Sequence, residues 1–218
     1  MTCVTISGLT HIDDIVMCAQ AGADRLGFLV EHPLPGPWNL SREEAGLLMG
    51  AAAGRALRVA VVGGDGDTIG DILDVCRPDI VQLHGDEPPD TVAAIATRGD
   101  VRVIKTLRLP ASTAAGQAEA LVAEARIFID AGADEILLDV AVDPADAAVD
   151  WQLAAAIAAR IDAPVILSGG LRAHTVAHAQ RTVRPWGVDV STGVEGEGRR
   201  KSVSLVHAFI AAAQGDDT

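Results

Sequence analysis

Leu57-Arg58-Val59-Ala60-Val61-Val62 is followed by a helix-length segment, Thr68–Cys76, and then by a second short run, Ile80-Val81-Gln82-Leu83. Both runs are rich in Val, Ile and Leu and continuous rather than alternating in polarity. That is the pattern of parallel strands covered on both faces. The same unit recurs in both directions. Further strands are expected at Cys3–Ser7, Arg25–Val30, Val101–Thr106, Glu135–Asp139, Pro164–Ser168 and Gly187–Ser191. Helices are expected at His11–Ala21, Ser41–Ala53, Pro88–Thr97, Ala114–Ala131, Trp151–Arg160, Ala173–Val183 and Ser202–Gln214. Thr10 is a plausible N-cap for the first of these, and Ser41 with Glu44 has capping-box spacing for the second.

Strict strand–helix alternation leaves two architectures, a closed barrel or an open doubly wound sheet. Eight repeats within 218 residues, with no break in composition at mid-chain, favour the barrel. The turn after the first strand, Ser7-Gly8-Leu9-Thr10, is not the Gly-x-Gly-x-x-Gly turn common in the open sheet. The expectation is a single (β/α)₈ (TIM) barrel domain over residues 1–218.

Composition agrees and narrows the function. Apolar residues make up 49% and charged residues 22%, enough for one full core and too apolar for disorder. A net charge of −13 argues against nucleic acid, whose nonspecific partners present basic surface. It says little about small anions, which respond to local groups. Met1–Gly8 does not read as a signal peptide and no run of about 18 apolar residues occurs, so a cytoplasmic protein is expected, without a membrane partner. Cys3, Cys18 and Cys76 are widely spaced and odd in number, and read as reduced core thiols. His174 and His178 stand i, i+4 without a third ligand, and read as a solvated helix face rather than a metal site.

In a barrel, chemistry belongs at strand C-termini and the loops after them. Two glycine-bearing turns follow the last two strands: Ser168-Gly169-Gly170-Leu171 and Ser191-Thr192-Gly193-Val194-Glu195. Glycine lets backbone approach an anion closely, and free N–H groups at a turn point at it. Each turn alone reads equally well as a helix cap; paired one repeat apart, they point to phosphate. Ser168, Gly169, Gly170, Ser191, Thr192 and Gly193 are the expected phosphate-binding residues.

Several motifs resemble those of the phosphoribosylanthranilate isomerase family. They are Ile6-Ser7-Gly8-Leu9-Thr10, Ala21-Gly22-Ala23-Asp24, Gly27-Phe28, Val81-Gln82-Leu83-His84-Gly85-Asp86-Glu87 and Val103-Ile104-Lys105. They continue through Leu137-Leu138-Asp139, Asp150-Trp151, Leu167–Leu171 and Gly187-Val188-Asp189-Val190-Ser191-Thr192-Gly193-Val194-Glu195. The order is collinear over nearly the whole chain. The resemblance implies an Amadori rearrangement, from an N-linked ribose phosphate to a 1-amino-1-deoxyketose. An acid protonates the furanose ring oxygen and a base removes the C2 proton. It implies that Asp139 is the acid, and it requires no cofactor or metal.

Three departures stand out. The family's base is a cysteine ending the first strand, where this chain has Ser7. A thiol can be tuned to a thiolate at neutral pH, whereas a serine hydroxyl needs an adjacent base. No neighbour in sequence supplies one, and Cys3 lies about 13 Å away at roughly 3.3 Å per residue. The loop after the second strand, Glu31–Asn39, lacks the arginine with which the family holds the anthranilate carboxylate. Trp38 in that loop can stack on an aromatic or sugar face. Val140–Val149 lacks the family's glycine-rich run. Natural divergence accounts for all three departures, an engineered Cys→Ser exchange for only the first.

Other rim residues have plain structural readings beside the functional ones. His84 is a hydrogen-bonded structural group or a substrate contact, and Gln82 a polar neighbour. Lys105 ends a strand where barrel lysines can form Schiff bases, though the family's lysine there has no such role. Asp189 and Glu195 read as orienting loops or sugar hydroxyls. The leading expectation is an isomerase of a phosphorylated aminosugar whose other half is not anthranilate bound in the usual way, monomeric or homodimeric, with Asp139 and Ser7 at the chemistry and Gln82, His84, Lys105, Asp189 and Trp38 around the substrate. The alternatives are an inactive phosphate-binding barrel, and an ordinary phosphoribosylanthranilate isomerase of tryptophan biosynthesis carrying a Cys→Ser change.

Overall fold

The structure is a computed structural model that describes residues 1–33, 35–110, 116–140 and 151–215. The expected loop 140–149, Asp150 and the first two residues of the helix expected from Ala114 lie outside the described residues, Val140 backbone excepted. Strands β1 (Cys3–Ile6), β2 (Arg25–Val30), β4 (Leu57–Val62), β5 (Ile80–Leu83), β6 (Arg102–Leu109), β7 (Glu135–Val140), β8 (Val165–Ser168) and β9 (Gly187–Val190) are all parallel. They run β1-β9-β8-β7-β6-β5-β4-β2, and β1 also pairs with β2, so the ring closes. A two-residue strand that the sequence did not announce, β3 (Asn39–Leu40), extends the rim beside the end of β2.

Helices α1 (Ile12–Gln20), α2 (Arg42–Ala52), α3 (Gly66–Cys76), α4 (Pro89–Thr97), α5 (Gln117–Asp130), α6 (Trp151–Ala158), α7 (Ala173–Val183) and α8 (Val203–Gln214) separate the strands. Short 3₁₀ turns at Thr192–Val194 and Glu197–Arg199 follow β9. The capping box forms as read: Ser41 Oγ accepts from the Glu44 amide and the Glu44 carboxylate accepts from the Ser41 amide. Thr10 is not the cap of α1. His11 occupies that position and Thr10 Oγ1 bonds the His11 ring instead, 2.9 Å from Nδ1.

Both faces of the sheet are buried, and they carry different things. Outward residues such as Val4, Leu26, Phe28, Leu83 and Leu138 form the main core against the helices. Inward residues build the barrel in tiers. At the floor, Arg25 and Glu135, from strands on opposite sides of the ring, make a bidentate pair at 2.6 and 2.7 Å, with Arg25 stacked on Trp186. Above them Val59, Val61, Ile80, Ile104, Leu137 and Ile166 fill the bore. Above those the inward side chains turn polar.

β6 ends three residues later than expected, because its ladder with β7 continues through Leu107↔Leu138, Arg108↔Asp139 and Leu109↔Val140. The extension corrects the reading of this strand. Lys105 is not at the strand's end and faces outward, while Arg108 reaches the rim.

Candidate active site

A cavity of about 380 Å³ opens at the C-terminal rim. The two glycine turns, Ser168–Gly170 and Ser191–Gly193, form one wall. Gln82, His84 and Asp139 line the cavity from β5 and β7, and Ser7 and Asp189 from β1 and β9. Trp38 leans in from the loop after β2. Among the residues expected to meet substrate, only Lys105 is elsewhere. Its ammonium is buried on the outer face, 2.6 Å from Glu87 and 2.7 Å from the Gly85 carbonyl, above the Phe128 ring. There it holds the loop carrying His84 and does not line the mouth cavity.

The anion wall follows from glycine. Gly169 and Gly170 both have positive φ, 96° and 62°, which an L side chain adopts only with strain. A Cβ on Gly193 would fall 1.9 Å from the Leu171 carbonyl oxygen, so the two turns press backbone against backbone. The N–H groups of Gly170, Thr192 and Gly193 take no partner among the described residues. Backbone donors left open at a cavity mouth are what an anion requires. Gly193→Ala should separate the turns. The expected result is a loss of about 1–3 kcal/mol in urea unfolding, as for an overpacked site, together with weakened phosphate binding. Unchanged affinity for inorganic phosphate would show that the two turns do not act as one cradle.

The wall that carries Asp139 is set by register. Arg108, Asp139 and Ser168 are neighbours in one row across β6, β7 and β8. His84 Nε2 lies 3.6 Å from Asp139 Oδ2. His84 Nδ1 meets the Gln82 side-chain amide at 3.0 Å and Thr106 Oγ1 at 3.2 Å, so the amide donates to Nδ1 and the ring proton belongs on Nε2, facing Asp139. Burial first, then His32 and Arg108, pulls the His84 pKa down to about 4, so the ring is neutral at neutral pH. Arg108, missed in the sequence because its strand was ended too soon, donates to the His84 carbonyl at 3.0 Å and presents a guanidinium to the mouth. The alternation Thr106-Leu107-Arg108-Leu109 was the available signal.

The row continues inward. Ser168 Oγ is 3.4 Å from Asp189 Oδ2, and Ser7 Oγ donates to Asp189 Oδ1 at 2.7 Å. Both Ser7 and Asp189 are buried. Burial outweighs the Ser7 hydrogen bond and the Lys201 charge, and pushes the Asp189 carboxyl up to about 6. Asp189 is thus a buried partner of Ser7, more than the loop-orienting group the sequence suggested.

The loops above are tied together by Glu195, whose Oε1 accepts from Trp38 Nε1 at 2.8 Å and from Lys201 Nζ at 3.0 Å. Arg199 lies over the Trp38 ring, 5.5 Å from its centre. The loop after β2 therefore closes over the mouth through an indole.

The three cysteines are free thiols. Burial pushes Cys3 and Cys76 up to about 11 and Cys18 up to about 12, and none lines the cavity. No helix among the described residues is long and apolar enough to cross a membrane.

The family profile of N-(5'-phosphoribosyl)anthranilate (PRA) isomerase matches residues 4–212. The enzyme of that name from Methanocella arvoryzae is 36% identical over 217 residues, which cover 96% of this chain and 97% of the relative. The N-(5'-phosphoribosyl)anthranilate isomerase of Pyrococcus furiosus superposes with a TM-score of 0.86 at 25% identity, over 99% of this chain and 100% of that one. A phosphoribosylanthranilate isomerase solved with reduced 1-(o-carboxyphenylamino)-1-deoxyribulose 5-phosphate superposes with a TM-score of 0.82 at 31% identity, with the same coverage. Matched from the first strand to the last helix, the chain belongs to the phosphoribosylanthranilate isomerase family.

Proposed function

We propose that the chain catalyses the Amadori isomerisation of an N-linked ribose 5-phosphate, with an anthranilate-type arylamine as the other half of the substrate. The observation that carries this reading is that an open backbone anion cradle and Asp139 line one 380 Å³ cavity, on neighbouring strand ends. A phosphate held at Gly170, Thr192 and Gly193 directs the ribose toward Asp139. Asp139, as a carboxylic acid, gives its proton to the ring oxygen as the C1–O bond breaks and the amine nitrogen forms the iminium.

Arg108 answers the loss of the arginine from the loop after β2. It stands beside Asp139 in register, so its guanidinium can meet a carboxylate on the aglycone while Trp38 packs on the ring. Arg108→Met is expected to raise KM about ten- to hundredfold, in line with a hydrogen-bonded charge, and to leave kcat within a few-fold. Arg108→Lys should not restore it, since a point charge lacks the fork. A KM unchanged in Arg108→Met removes Arg108 from the aglycone site.

The reading is tested by supplying N-(5'-phosphoribosyl)anthranilate and following the new ketone carbon by NMR. Turnover supports it. Tight binding of the reduced product analogue with no turnover supports the binding-barrel alternative instead.

A further inference from the structure

The second half of the rearrangement needs a base for the C2 proton, and no thiol lines the cavity. Ser7 occupies the strand end nearest the reaction but has no accessible anion of its own. We propose that Ser7 and Asp189 act together as that base, the hydroxyl taking the C2 proton while its own proton passes to the carboxylate. This rests on the isomerase reading and deepens it.

The geometry for the relay is already made. The Ser7 hydroxyl donates to Asp189 Oδ1 at 2.7 Å, and both groups line the cavity though each is over nine-tenths buried. Ser7 is held in place by its neighbour on β2, because a Cβ on Gly27 would lie 2.3 Å from Ser7 Oγ. Ser168 steadies the other carboxylate oxygen, and Lys201 and Arg25 are the charges that act on Asp189 from a distance. Burial makes this carboxylate more basic than an exposed one, which suits an acceptor working near neutral pH.

The step balances. Ser7 Oγ forms a bond to the C2 hydrogen as the Ser7 O–H proton moves to Asp189. The C2–H electron pair becomes the C1=C2 bond, and the C1=N pair returns to nitrogen, giving a neutral enolamine. Ketonisation adds a proton to C1 and removes one from the C2 hydroxyl. The proton on Asp189 then leaves to solvent as Asp139 regains its own.

The test measures kcat of the full chain and of Asp189→Asn, Ser7→Ala and the double variant, with substrate carrying hydrogen or deuterium at C2. Asp189→Asn and Ser7→Ala should each lower kcat at least about a hundredfold, and the double variant should be no worse than either, because the two act as a unit. Affinity for the reduced product analogue should stay within a few-fold in all three, which shows that fold and cradle persist. In the parent chain kcat/KM should rise with pH through about 6, and Ser7→Cys should move that limb upward as a thiol becomes the base. Asp189→Asn within tenfold of the parent overturns the proposal, and so does an active Ser7→Ala beside an inactive Asp189→Asn. A parent chain that binds the analogue without turnover instead overturns the isomerase reading.

Discussion

Asp139→Asn is expected to lower kcat by a factor of about 10²–10⁴, the usual contribution of a positioned general acid. The amide keeps the size and place of the carboxyl at the end of β7, beside Arg108 and Ser168 in register, so substrate affinity should change little. What it removes is a proton for the ring oxygen. His84, with Nε2 3.6 Å from the Asp139 carboxylate, cannot stand in. Its pKa of about 4 leaves it neutral at neutral pH, and a neutral imidazole is a far weaker acid than a carboxyl group. Steady-state kinetics together with analogue binding decide the matter. Activity within tenfold of the parent would place the acid elsewhere.

Glu135→Ala should be the most destabilising single change outside the active site, at about 3–5 kcal/mol. Arg25 is fully buried, and its two terminal nitrogens are both satisfied by Glu135. Without that carboxylate, a buried guanidinium loses both of its hydrogen bonds and keeps only the Trp186 face and the more distant Asp24 charge. For a domain of this size the loss corresponds to roughly 10 °C in Tm. Replacing both partners, as Arg25→Met with Glu135→Leu, should cost much less, because the penalty comes from the orphaned charge. The floor lies below the apolar tier, so kcat at 25 °C should survive in the single variant. Urea unfolding of the single and double variants checks this. A single variant within 1 kcal/mol of the parent, on the scale where such losses reach several, would mean that water or Trp186 already satisfies Arg25.

Sequence by itself determined the strand–helix repeat and favoured the ring over an open sheet. Short apolar runs such as Val59–Val62 and Ile80–Leu83 require cover on both faces, and that periodicity is local. It also placed the paired glycine turns and Asp139 at strand ends, since position along a strand is a local property. Tertiary structure alone decided which way each rim residue faces. With both faces of a barrel strand buried, Val103-Ile104-Lys105-Thr106 carries no polarity signal to tell inside from outside, so Lys105 was read into the mouth and Arg108 was missed. It alone also decided the partners. Ser7 and Asp189 are 182 residues apart and meet only because β1 closes the ring against β9, a contact made by global closure that no local pattern encodes.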